Sequence, residues 1–168
     1  AEEIGTPELE ACGTTAFKMA FNGAVPIVSR TGSNMEMIDK TGVDNLFVFG
    51  SHAVNGVAED TYNTEDIIQK TPRLARVFLF LEDILQTIPN GETVYPLLST
   101  IRDNDRDGVI RDYLDYSRQQ ENIDNIYADQ QSWARKSLAN IAMSGSFSSD
   151  RAAHEYAQNI WNVKAERA

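Results

Sequence analysis

The chain has 168 residues, 42% of them hydrophobic and 24% charged, a length and balance expected of one soluble globular domain and not of a disordered, collagenous or low-complexity segment. Fifteen Lys and Arg stand against 25 Asp and Glu, a net charge of −10 with no basic cluster, which argues against a nucleic-acid binder and against docking on an anionic membrane. No run approaches ~18 uninterrupted apolar residues, the N-terminus lacks the basic and apolar regions of a leader, and the single Cys12 allows no internal disulfide, so a reducing, cytoplasmic setting is expected.

Residues 1–24 are small, polar and rich in Gly and Thr, with an apolar stretch only from Ala16 to Phe21. Val25-Pro26-Ile27-Val28 reads as a short strand, although Pro26 would be awkward in a central one. Thr31-Gly32-Ser33-Asn34 is turn material. Ser33 and Glu36 stand at capping-box spacing and predict a helix with Met35, Met37 and Ile38 that stops at Gly42. Leu46 to Phe49, ended by Gly50, predicts a second strand. Helix, strand, helix, strand is an α/β order with parallel strands.

After Gly50 the pattern is helical. Asn63 or Thr64 caps a helix with Ile67 and Ile68. Thr71-Pro72 opens another, whose stripe is Leu74, Val77, Phe78, Leu81, Ile84 and Leu85, and Pro89-Asn90-Gly91 ends it. Further helices are expected over Tyr95 to Ile101, around Tyr113, Tyr116, Ile123, Ile126 and Tyr127, and around Trp133, Leu138, Ile141 and Ala142 up to Ser144-Gly145. Ser148 or Ser149 caps the last helix, with Ala153, Tyr156, Ala157, Ile160 and Trp161 as its inner face. The organisation read from this is one unit, residues 1–168, made of an α/β part, 1–50, and a helical part, 51–168. Two strands rarely make a stable sheet. With the missing initial Met, this suggests the end of a larger domain.

The densest segment is Glu10-Ala11-Cys12-Gly13-Thr14-Thr15-Ala16-Phe17-Lys18. Small residues with free backbone amides run into a helix, and helix starts bind anions. A lysine one turn on can hold an aldehyde cofactor as a Schiff base. On spacing alone, an ordinary capped helix with a solvated lysine explains the same pattern.

The whole chain resembles the C-terminal end of the α-glucan phosphorylases: glycogen, starch and maltodextrin phosphorylase. The family's E-A-S-G-T-G-N-M-K-F stands here as Glu10 to Met19, its L-N-G-A-L-T-I as Phe21 to Ile27, and its D-G-A-N-V-E-M as Thr31 to Met37, without a gap. Asn45 to Gly50 is similar to N-L-F-I-F-G. Trp133, Asn140-Ile141-Ala142, Ser144-Gly145, Phe147 to Arg151, Tyr156 and Ile160-Trp161 match the closing segment.

This resemblance implies the last part of a Rossmann-like domain followed by a mainly helical region. It implies pyridoxal phosphate bound to Lys18, with the amides of Gly13, Thr14 and Thr15 around the cofactor phosphate. Glu10, Cys12 and Gly13 would contact the transferred glucosyl unit. The implied reaction is phosphorolysis of α-1,4-glucans to glucose 1-phosphate with retention, the cofactor phosphate relaying a proton. Its partners would be the glucan, inorganic phosphate and a missing N-terminal part that supplies the other wall of the crevice. A homodimer is compatible with the resemblance; nucleic acid and membrane are not implied.

Four departures bear on that reading. Cys12 replaces serine and hydrogen-bonds poorly. Thr15 replaces glycine and would be strained if the position needed φ > 0. Ala16 replaces asparagine, and Thr31 replaces an aspartate. They motivate a second reading: a degenerate, non-catalytic phosphorylase-like domain acting in protein association.

A third possibility lies in Asp103-Asn104-Asp105-Arg106-Asp107-Gly108-Val109-Ile110, which resembles the first eight positions of a calcium loop. The twelfth position is Leu114 where a bidentate Glu is required, so a solvated acidic turn that caps the following helix is the competing explanation. His52 and His154 have no metal partner near in sequence, and Cys12 has no nearby His or Asp to make it a nucleophile.

Overall fold

A computed structural model describes residues 1–6, 9, 12–50 and 62–163. The chain divides into two compact units, one of residues 1–48 with 119–168 and one of residues 49–118.

The first unit holds a three-stranded parallel sheet in the order β1 (Glu2–Glu3), β2 (Ile27–Ser29), β3 (Phe47–Phe49). Glu2 pairs with Ile27 and Glu3 with Val28. β1 has no apolar pattern and was not expected from the sequence; its pairing is carried by backbone groups. Pro26 lies just before β2, fully buried, and its carbonyl accepts from Phe47 N at 3.0 Å. A proline there lends its acceptor and is asked for no donor, which resolves the awkwardness of a central proline.

α1 (Thr15–Phe21) and α2 (Gly32–Thr41) follow β1 and β2. The core beneath them is Ala16, Ala20, Val28, Met37, Ile38, Leu46 and Val48. Phe17 and Phe147 pack against it with ring centroids 4.3 Å apart. The helix expected to stop at Gly42 does so, with Gly42 at φ 84°, a value glycine reaches without a Cβ clash. The expected capping box does not form: the N-cap is Thr31, two residues earlier than Ser33, which lies inside the first turn and donates its Oγ–H to Gly13 O. Placed within the helix, the Ser33 hydroxyl serves a tertiary contact rather than the helix start.

α7 (Gln130–Ser144) is pinned to the same unit by polar contacts. Ser137 Oγ donates to Gly23 O at 2.6 Å, Asn140 Nδ2 to Asn45 O at 2.7 Å, and Lys136 Nζ to Asp44 O. Trp133 stacks on Phe47, 6.1 Å between centroids. α8 (Ser149–Asn159) starts at Ser148, whose Oγ accepts from Asp150 N and Arg151 N as expected. Its apolar stripe faces outward, however: Tyr156, Ile160 and Trp161 are exposed rather than an inner face.

The second unit holds α3 (Thr64–Lys70), α4 (Pro72–Thr87), α5 (Tyr95–Asn104) and the start of α6 (Val109–Ala128), which continues into the first unit. Asn63 Oδ1 caps α3 through Asp66 N at 3.1 Å. Ile68, Leu74, Phe78, Leu98 and Ile110 form its core. Of the stripe expected on α4, Leu74 and Phe78 are buried, whereas Val77 and Leu81 remain exposed. Arg102 ties three helices together, bonding Glu65 at 3.1 Å and Glu82 at 2.7 Å. That contact lowers the titration of the half-buried Glu65 carboxyl and raises that of Arg102. Few parallel strands followed by a mainly helical region is the α/β class expected.

Candidate functional site

In parallel sheets, ligands collect outside the carboxyl ends of the strands, where following helices point their N-termini. Here β1 and β2 end at Glu3 and Ser29, and the starts of α1 and α2 lie beside them. Gly5 N donates to Ser29 Oγ at 2.9 Å, and Ser29 Oγ contacts Thr31 Oγ1 at 3.1 Å. Asn34 Nδ2 donates to Ser29 O at 3.2 Å. The bond from Ser33 Oγ to Gly13 O, 3.2 Å, draws the loop before α1 against the start of α2. Glu3, Gly13, Thr31, Ser33 and Asn34 thereby line a small polar cleft. Glu3 and Asn34 were not expected as cleft residues; for Asn34 the polar run directly after β2 was the available signal.

Thr14 caps α1 without a side-chain bond, and no acidic residue stands in the first turn. The first helical bond runs from Lys18 N to Thr14 O at 3.1 Å, so the amides of Thr15 and Ala16 have no helical acceptor. Lys18 is exposed one turn further on and forms no ion pair among the described residues. Cys12, Thr14 and Thr15 are exposed and Gly13 is half-buried. Glu10 lies outside the described residues, as does His52.

Thr15 sits in α1 and is not among the positive-φ residues, so threonine there brings no backbone strain. Ala16 is fully buried in the core and offers nothing to a ligand through its side chain. The exposed Thr15, whose amide has no helical acceptor, and an exposed Lys18 without an ion pair among the described residues stand within one turn and fit an aldehyde cofactor with an anionic tail.

The acidic loop is a different kind of device. Asp105 is buried, 4% exposed, and left-handed at φ 33°, ψ 46°. Its carboxylate accepts from Ile110 N at 3.0 Å, from Arg111 N at 3.0 Å and from the Tyr62 hydroxyl at 2.8 Å. It caps α6, as the competing explanation held, but as a buried anchor and not a solvated turn. An oxygen pair occupied by helix amides is not offered to a cation. No group of three or more His, Cys, Asp or Glu among the described residues could hold a metal ion. Burial, then the bond to Asp105, pushes the Tyr62 phenol up to about 12. Arg111, bonded to Asp112 at 2.7 Å, is raised by that contact and lies over the Tyr62 ring.

Among the described residues no helix is long and apolar enough to cross a membrane. A family profile described as carbohydrate phosphorylase matches residues 1–163. The muscle form of glycogen phosphorylase from Homo sapiens is 33% identical over an alignment of 169 positions, covering 99% of this chain and 20% of that protein. The muscle form from Oryctolagus cuniculus is 32% identical with the same coverage. The brain form from Rattus norvegicus is 32% identical over 166 positions, 98% of this chain and 20% of its own length. The chain thus spans about a fifth of the length of the curated relatives it matches. A profile match over nearly every residue, on a parallel-sheet fold with helix starts gathered at the strand ends, places the chain in the carbohydrate phosphorylase family.

Proposed function

We propose that this chain is the C-terminal part of a pyridoxal-phosphate-dependent α-glucan phosphorylase, with Lys18 as the cofactor lysine and a site incomplete on its own. The observation that carries the reading is Lys18 itself: exposed, one turn into α1, in a chain matched by the family over residues 1–163. The amides of Gly13, Thr14 and Thr15 donate to the cofactor phosphate. The Lys18 amine holds the aldehyde carbon. Glu10 and the backbone at Cys12 and Gly13 orient the glucosyl unit. When bound, the cofactor supplies a phosphate that passes a proton to and from inorganic phosphate during cleavage of the α-1,4 bond. The partners are the glucan, inorganic phosphate and the remainder of a longer polypeptide, in the cytoplasm.

A second reading, a non-catalytic domain acting in association, is favoured by one observation: the buried Ala16 leaves the start of α1 without a side-chain amide. The two separate spectroscopically. Pyridoxal phosphate added to the polypeptide carrying this segment is expected to give a yellow absorbance that Lys18→Ala abolishes. Borohydride reduction and peptide mass spectrometry should then find the added mass on Lys18. A polypeptide that shows neither signal loses the catalytic reading and keeps the second.

A further inference from the structure

The end of α4 builds a cleft within the second unit. Leu85, Gln86, Ile88, Gly91, Glu92 and Tyr95 line a space of about 430 Å³, within the size range of small-molecule sites. The local sequence makes it. Ile88 N gives the last helical bond of α4, to Ile84 O at 3.0 Å. The next residue, Pro89, has no N–H, so the Leu85 carbonyl is left without its helical donor. Asn90 then turns the chain in the left-handed region at φ 60°, ψ 22°. Gly91 is buried and has no Cβ, so the returning chain packs directly onto the end of the helix.

Three features of this cleft carry the same sign. The C-terminal end of a helix is the negative pole of its dipole, and no basic residue stands in the last turn of α4 to offset it. Glu92 puts a carboxylate on the wall, and no ion pair among the described residues uses it. Tyr95, 47% exposed, adds an aromatic ring with negative faces. Leu85 and Ile88 supply apolar wall beside them. An anion is repelled here. A metal ion needs several oxygen ligands and meets one carboxylate among apolar walls.

We infer that the cleft is a binding site for a small organic amine, an ammonium group on a short apolar body. The ammonium is held by the Glu92 carboxylate and the carbonyl end of α4, and the apolar body rests on Leu85, Ile88 and the Tyr95 ring. The volume suits one such molecule, and the charge decides its sign. Glu92 is exposed, so its attraction is screened by solvent and the affinity is modest, in the millimolar range. The inference stands apart from the cofactor reading, since none of the six residues belongs to the α1 site.

The test is an amide NMR titration of the full 168-residue chain with phenethylammonium chloride, at moderate salt to screen the general attraction of its net −10 charge for cations. Saturable shifts are expected, concentrated between Leu85 and Tyr95. The neutral isostere, phenethyl alcohol, should bind more weakly, and phenylacetate should not bind. Ethylammonium, which keeps the charge and loses the ring, should also bind more weakly. Glu92→Gln should weaken phenethylammonium about 3- to 10-fold. Tyr95→Leu should weaken it about 2- to 5-fold. Asp39→Asn removes the same charge from the other unit and should leave the affinity unchanged. Glu92 and Tyr95 are exposed, so the unbound variants should keep the wild-type spectrum away from the substitution. Shifts that do not saturate, or that centre elsewhere, overturn the inference. So does an alcohol or carboxylate that binds as tightly as the amine, a comparison that needs no variant, or an affinity indifferent to Glu92→Gln.

Discussion

Tyr62 donates its hydroxyl to Asp105 Oδ2 at 2.8 Å, joining the segment before α3 to the residue that ends α5 and leads into α6. The same carboxylate holds the first amides of α6, so one buried side chain fixes both a helix start and a chain crossing. Removing it leaves two amides without an acceptor and the phenol with only the Asp105 backbone carbonyl, 3.2 Å away. Asp105→Ala should cost about 2–4 kcal/mol in chemical denaturation. Asp105→Asn keeps an acceptor and tolerates the left-handed backbone, so it should cost clearly less.

The raised Tyr62 phenol has a consequence at alkaline pH. Its ordinary value is 10.0 and its folded value about 12, so the folded chain holds the proton that the unfolded chain releases between these limits. The neutral hydroxyl's contribution is therefore fully present below pH 10 and is lost as pH rises toward about 12. Unfolding free energies measured from pH 9 upward should decline less steeply in Tyr62→Phe than in the wild type. Parallel profiles would show that the phenol is not held neutral.

Two glycines make a contrasting pair. A Cβ on buried Gly91 would stand 1.9 Å from Leu85 O, a backbone atom that cannot move aside without breaking the end of α4. Gly91→Ala should destabilise by on the order of 2–4 kcal/mol. Gly145 is exposed, has φ −57° and ψ −27°, and a Cβ there meets nothing within 4 Å. Gly145→Ala should be neutral or stabilising by up to about 1 kcal/mol, read as the shift in urea midpoint.

Asn140 is 1% exposed and donates to Asn45 O and to Lys136 O, while its Oδ1 has no partner among the described residues. Asn140→Asp replaces the donor with a buried carboxylate facing carbonyls. At neutral pH it should lower stability more than Asn140→Ala does, by at least ~1 kcal/mol. Acidification toward the carboxyl's protonation range should narrow the gap. Melting curves of both variants across pH 4–8 test this.

The parts of the fold legible in sequence were those decided locally. Asn63 and Ser148 cap the helices they were expected to cap, since the acceptor and its amides are two or three residues apart. Gly42 ends α2 for an equally local reason. What failed was decided at a distance. Ser33 was read as a cap, but its hydroxyl reaches Gly13 across twenty positions. β1 could not be read because Glu2 and Glu3 have no pattern, only backbone groups that β2 pairs with. The outward stripe of α8 shows that apolar periodicity reports a face and not what covers it. At the site, the run from Gly13 to Lys18 was legible because it is contiguous; the cleft residues Glu3 and Asn34 needed the sheet to bring them together.

The division of the chain also sets an order of assembly. Residues 49–118 form a continuous unit, whereas the other unit needs residues 1–48 and 119–168 to meet. Closing that gap costs the entropy of the whole intervening stretch, and the cost falls when the stretch is already compact. The helical unit, rich in near-neighbour contacts, can form first and act as a short tether. Refolding should then be biphasic, and a lesion such as Gly91→Ala, far in sequence from Lys18, would delay the pairing of α7 with α1.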